Sequence, residues 1–161
     1  MSKRISEQLT EDVFRRLSGV EAETHASNAV VLCTVDADGR PRPSMLSYFE
    51  VAAYDRRTLR LAVYNDSHTY ANLRERGKAT LIVVDAGVVC YITGTVDAFV
   101  PTMRNASYNA RLDVRIEQVV LDEASPELEP GVEVISGITV HPRTAGALAR
   151  ARRVLSELLE P

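Results

Sequence analysis

The segment between residues 30 and 81 constrains this chain most. It reads as strand, Asp-Gly turn, strand, turn, strand, and then a short helix that opens with Asp66-Ser67-His68-Thr69. Short strands joined by tight turns favour an antiparallel barrel or sandwich over a parallel sheet. The first turn of a helix presents unpaired backbone N–H groups and a partial positive charge, so it binds anions readily. A β-meander that runs into such a helix is therefore a place to hold a phosphorylated cofactor.

The flanking segments extend this pattern. Residues 6–20 read as a helix, with Leu9, Val13, Phe14 and Leu17 at helical spacing, Ser6 as N-cap and Gly19 as stop. Residues 29–35 (AVVLCTV) form an apolar, β-branched strand, and 36–39 (DADG) the turn after it. The next strand lies within 40–51, and its prolines at 41 and 43 suit an edge. Residues 58–64 (TLRLAVY) alternate, with Leu59, Leu61 and Val63 on one face and Arg60 and Ala62 on the other. The short helix spans 67–76, with Gly77 as its C′ residue. Residues 79–84 and 88–96 read as a hairpin around Asp85-Ala86-Gly87, and Gly94 marks a bulge or bend. Residues 97–108 fit either a short helix or a loop. A half-exposed strand at 111–121, a loop at 123–131 and a last strand at 132–140 follow. The final helix, 144–159, places Leu148, Ala151, Leu155, Leu158 and Leu159 on one side. The expected molecule is one mainly β domain over 1–161: a helix in 1–20, a barrel in 29–140 and a helix in 144–159.

Composition narrows the function classes. With 45% apolar residues, 25% charged residues and a net charge of −3, there is no basic excess to draw the chain onto nucleic acid or an anionic membrane. Positive charge is almost all arginine, Lys3 and Lys78 being the only lysines. Cys33 and Cys90 lie in apolar strands and read as small buried hydrophobes. No CxxC, Cys/His cluster, P-loop, G-x-S-x-G or GxGxxG occurs. The first residues lead into charged helix rather than an apolar run, so no signal peptide is expected. No stretch approaches the roughly 20 apolar residues that span a bilayer, and a reducing cytoplasm is the expected compartment.

Three runs in order carry a resemblance: VVLCTVDADGRPRPSMLSYFEV, TLRLAVYNDSHTYANLRERGKATLIVV and VVCYITGTVDAF. They resemble the pyridoxamine 5′-phosphate oxidase-like family, the FMN-binding split barrels. Asp36, Gly39 and Pro41 match that family's D-x-x-G-x-P turn. Ser67, Thr69, Asn72 and Leu73 match its S-x-K/T-x-x-N-L helix. The resemblance implies a six-stranded antiparallel split β-barrel and a homodimer with an FMN in each of two interface grooves. It places the flavin phosphate between the second strand, with Arg42 and Ser44, and the helix start, with Ser67, His68 and Thr69. Members that oxidise pyridoxamine phosphate usually carry an Arg on that strand and an Arg-Lys pair at that helix. Here those positions are Ser44, His68 and Thr69, which weakens the anion site and leaves Arg42 as the nearby guanidinium. Strand alternation puts Arg42 and Ser44 on one face.

Each remaining candidate has a second reading. His68 is either a phosphate partner or an exposed first-turn residue. Ser67 and Thr69 bond phosphate, cap the helix, or both. Asn72 bonds backbone more readily than ligand. Tyr64 and Asn65 stand where a flavin ring or ribityl chain would lie, although Tyr64 also suits a half-buried strand. Met45 flanks a flavin ring or belongs to the core. His25 and His141 read as ordinary loop residues. The expected function is FMN binding, with a flavin-dependent oxidoreductase acting on an unknown small molecule. The alternatives are a non-catalytic flavin or nucleotide carrier, a deazaflavin or heme protein on the same fold, and a cofactor-less structural dimer. Whether the chain is an enzyme stays open at this point, and catalytic residues are unassigned.

Overall fold

The computed structural model describes residues 2–161. Its elements are β1 (Ser2–Ser6), α1 (Glu11–Leu17), β2 (Asn28–Val35), β3 (Pro41–Ser47), β4 (Val51–Ala53), β5 (Thr58–Tyr64), α2 (His68–Arg76), β6 (Lys78–Asp85), β7 (Val88–Val100), β8 (Asn109–Asp122), β9 (Ile138–Thr139) and α3 (Ala145–Leu158). The strands form one curled sheet in the order β3-β2-β6-β7-β8-β5-β4, with β1 added to β8 and β9 to β2. All pairings are antiparallel. This is the split-barrel architecture with flanking helices, built from more strand segments than the six expected. β3 lies at the end of the main path, as its two prolines require.

Alternation along β2 and β6 turns Val30, Leu32, Leu81 and Val83 into the barrel. Tyr48, Leu59, Leu61, Leu73, Leu112 and Val114 join the same cluster. β7 and β8 slip register at Thr93/Gly94. A Cβ at Gly94 would stand 2.3 Å from the carbonyl oxygen of Arg115, so only glycine admits that bend.

A second core lies on the other face of β4 and β5. There Ala52 and Ala62, with Phe49, Met103 and Ala106, receive Val154, Leu155 and Leu158 of α3. The face of β5 that carries Arg60 and Ala62 is therefore covered, and Arg60 is only 7% exposed. Its guanidinium donates to the carbonyls of Leu158 (3.0 Å) and Glu160 at the end of α3, where a cation suits the helix dipole. It also lies 3.6 Å over the Tyr54 ring.

Four expectations are corrected. The helix expected over 6–20 is a strand at Ser2–Ser6 and a seven-residue helix from Glu11, capped by Thr10 rather than Ser6. The first residues pair with β8 instead, and this tertiary pairing overrides the helical spacing that begins at Leu9. The strand expected over 132–140 pairs only at Ile138 and Thr139. The ambiguous 97–108 divides into the end of β7 and a turn at 101–108. His25 is buried, not part of an open link. It stacks on Tyr48 at 4.6 Å and places Nδ1 3.0 Å from Asp85, which also pairs with Arg16 at 2.6 Å. Burial, with the nearby Asp85 charge, pushes the Tyr48 hydroxyl up to about 12.

Candidate cofactor site

The turn after β2 is held by one side chain. Asp36 Oδ1 accepts the backbone N–H groups of Asp38 (2.9 Å) and Arg40 (2.8 Å). Its Oδ2 accepts Nε of Arg42 at 2.8 Å. The Arg40 N–H first, and the Arg42 guanidinium second, hold this carboxyl below the usual carboxylate range. The Asp36 bond uses Nε of Arg42 and leaves its two Nη groups without a partner among the described residues.

Across from this turn stands the start of α2. Ser67 is its N-cap, accepting the N–H of Tyr70 at 3.1 Å and donating to the Tyr64 carbonyl at 2.6 Å. The N–H groups of His68 and Thr69 belong to the first turn, which no intrahelical carbonyl satisfies. Gly77 closes the other end at φ +69°, its N–H bonding to the Leu73 carbonyl at 2.9 Å. Asn72 is buried and ties the helix to β2, donating from Nδ2 to Thr34 Oγ1 at 3.1 Å. Thr34 in turn donates to the carbonyl of Arg42 at 3.3 Å.

Together these groups enclose a recess of about 280 Å³ lined by Asp36, Arg42, Pro43, His68, Thr69 and Asn72. Four of the residues singled out from sequence thus meet in one place: Arg42, His68, Thr69 and Asn72. The register pairs Arg42 with Thr34 and Ser44 with Leu32, so both face the barrel side, as alternation implies. Ser44 spends its hydroxyl on the Leu32 carbonyl at 3.4 Å. Met45 pairs with Val31 on the opposite face and is 61% exposed, away from the recess. Asn65 clamps the 101–108 turn, donating to the carbonyls of Ser107 (3.0 Å) and Pro101 (3.3 Å). Tyr64 is 58% exposed and lies beside Tyr108, on the wall of a different recess. His141 lines neither. The turn was legible from its aspartate, but the carboxylate's grip on the site's one guanidinium was not. The signal was present: an acid opening a hairpin turn with an arginine on the returning strand.

Residues 19–136 match the family model described as pyridoxamine 5′-phosphate oxidase. The chain belongs to this family. It is 30% identical over 128 residues to an uncharacterized Bacillus subtilis protein, YclD, covering 78% of this chain and 82% of that one. Among solved structures it is similar to a candidate pyridoxamine 5′-phosphate oxidase of Lactobacillus delbrueckii, at 19% identity and TM-score 0.57, over 73% of this chain and 98% of that one. It is also similar to an FMN-binding protein of Syntrophomonas wolfei, at 17% identity and TM-score 0.53, over 71% and 92%. At such identities the likeness to solved structures is one of fold. Among the described residues no helix is long and apolar enough to cross a membrane.

The donor set fits a flavin phosphate. Arg42, His68 and Thr69 border one recess at the first turn of α2, where a guanidinium, a hydroxyl and unpaired helix amides suit an anion, and Asp36 offsets part of the positive charge.

Proposed function

We propose that this family member binds FMN and serves as a flavin-dependent oxidoreductase for a small molecule. The observation that carries the reading is the recess between β3 and the start of α2, where Arg42 and the first turn of α2 face one volume. A phosphate dianion there would take charge-assisted bonds from Arg42 and hydrogen bonds from Thr69 and the α2 amides. A bound flavin supplies two-electron chemistry; the protein supplies binding and orientation. Asp36 orients the guanidinium, and Asn72 fixes α2 against β2 so that the amides keep their aim.

The same reading expects a homodimer. The outward face of β2, β6 and β7 carries Val31, Cys33, Ile82, Val84 and Tyr91, all half-buried, with Met45 exposed beside them. A second copy on this face would cover apolar surface that water otherwise meets. Sedimentation at micromolar concentration tests the dimer, and a monomer would overturn it.

Titrating apo-protein with FMN and with riboflavin, followed by flavin fluorescence quenching, tests the site. FMN is expected to bind at least about tenfold more tightly, since only FMN carries the phosphate. Equal affinities would remove the phosphate from this recess, and no binding of either would end the flavin reading.

A further inference from the structure

A second recess, of about 140 Å³, lies between α3 and the ends of β5 and β8. Ala147, Arg150, Ala151 and Val154 line it from α3, and Arg143 from just before the helix's N-cap Thr144. Ala147 and Ala151 leave the space; the two arginines border it. Neither arginine makes a hydrogen bond or ion pair among the described residues. From the sheet side come Tyr64 and Asn109, which are register partners and so share a face.

Asn109 is the telling residue. It is 1% exposed, and its Oδ1 has no hydrogen-bond partner. Its backbone is fixed at both ends, the N–H on the Ala106 carbonyl and the C=O on the Met103 N–H, each at 2.8 Å. A buried, rigidly held acceptor without a donor is costly in a folded chain and is commonly explained by an absent partner. Glu50 adds one negative charge, with Oε2 held by the N–H and hydroxyl of Ser47 at 2.7 and 2.8 Å. Tyr64 and Tyr108 stand beside the recess with much of each ring exposed, 6.0 Å apart between centroids.

We infer that this recess binds a small aromatic carboxylate that also carries an N–H or O–H donor. The carboxylate takes Arg143 and Arg150, the donor meets Asn109 Oδ1 and Glu50, and the ring lies against the tyrosines. A phosphate alone would satisfy the arginines but leave Asn109 without a donor and face Glu50 as a like charge. The inference stands apart from the flavin reading, because no residue lines both recesses.

The test uses 4-aminobenzoate on the whole chain without added flavin, followed by amide shifts in two-dimensional NMR. Saturable shifts at Tyr64, Asn109 and Arg150 are expected. Aniline, which lacks the carboxylate, should bind about tenfold more weakly or worse, and benzoate, which lacks the donor, several-fold more weakly. Arg143→Gln and Arg150→Gln, both at exposed positions, should each weaken 4-aminobenzoate by about tenfold with the spectrum otherwise folded. No saturable binding at millimolar concentration would overturn the inference. So would binding that both variants leave unchanged, or equal binding of aniline. FMN uptake by the same sample bears only on the first recess, so the two readings fail separately.

Discussion

The recess at α2 and the recess at α3 are built from contacts of very different reach. At α2, Asp36 holds an arginine six residues away and Ser67 caps an amide three residues away, with one longer bond, Asn72 to Thr34 across 38 positions, tying the helix to β2. At α3, Asn65 reaches Ser107 across 42 positions, Asn105 reaches Glu157 across 52, and Arg60 reaches Leu158 across 98. The first is mostly a product of local turn and cap chemistry, completed by one sheet pairing and one bond from helix to strand. The second exists only once the whole chain is folded. The contrast predicts that perturbing α3 should cost stability and leave the flavin recess alone, while perturbing the α2 recess should cost ligand affinity and leave stability alone.

The largest effect is expected at Glu157. This buried carboxylate accepts the N–H groups of Arg104 (2.8 Å) and Asn105 (2.7 Å), joining α3 to the 101–108 turn. Two charge-assisted bonds vanish in Glu157→Ala, and a loss of about 3 kcal/mol in unfolding free energy is expected. Urea denaturation measures it, and amide exchange should quicken at 101–108 before the barrel strands. FMN affinity should be unchanged. A parallel loss of FMN binding would show that the two regions are coupled and break the comparison.

Arg42→Ala is the complementary change. Removing a charged partner from the phosphate costs roughly 1.5–3 kcal/mol, a ten- to hundredfold drop in FMN affinity. The side chain lies exposed on an edge strand, so the urea midpoint should stay close to that of the wild type. FMN titration and urea denaturation of the same variant check both halves. Equal FMN affinity for variant and wild type would remove Arg42 from the site.

The same contrast explains what the sequence made legible. The order of strands from 30 to 96, the hairpin at 85–87, the Ser67 cap and the Gly77 stop rest on neighbours in sequence, and the structure reproduces them. The recess at α2 followed, because a turn and a cap are local and one register brings Arg42 opposite Thr34. The N-terminal strand depends instead on pairing with residues more than 110 positions away. What covers the Arg60 and Ala62 face of β5 was not legible, because α3, which covers it, arrives some 90 residues later. Asn65 stood at the helix start and suggested ligand, but its amide is spent on a turn that the sequence did not locate. His25 carried no apolar periodicity to announce burial; its partners Asp85, Glu21 and Tyr48 come from three separate segments.

A finer test asks whether Asp36 works for the recess or against it. It orients Arg42 but also places a carboxylate beside the phosphate. Asparagine retains an acceptor for the Asp38 and Arg40 amides and lacks the charge. Asp36→Asn is therefore expected to tighten FMN binding several-fold, opposite in sign to Arg42→Ala. Weaker binding would mean that orientation of the guanidinium outweighs charge competition, and Asp36 would then count as a positioning residue.

The smallest effect is the acid limb of the same carboxyl. Its pKa in the folded chain is lowered, first by the Arg40 N–H and then by Arg42. A lowered folded value means that the ionised form is the one the fold favours. Its contribution is present above the unfolded value of about 4 and is lost as pH falls through the folded value. Because its partner Arg42 is largely open to solvent, the contribution is modest and screened by salt. Asp36→Asn has no such limb. At neutral pH the wild type should therefore be slightly more stable than the variant, and the gap should close as the pH falls below that of free carboxylates. Urea midpoints of the two proteins across an acid series measure it. A gap that stays constant with pH would show that the Asp36–Arg42 pair adds nothing that depends on charge, and the turn would then rest on hydrogen-bond geometry alone.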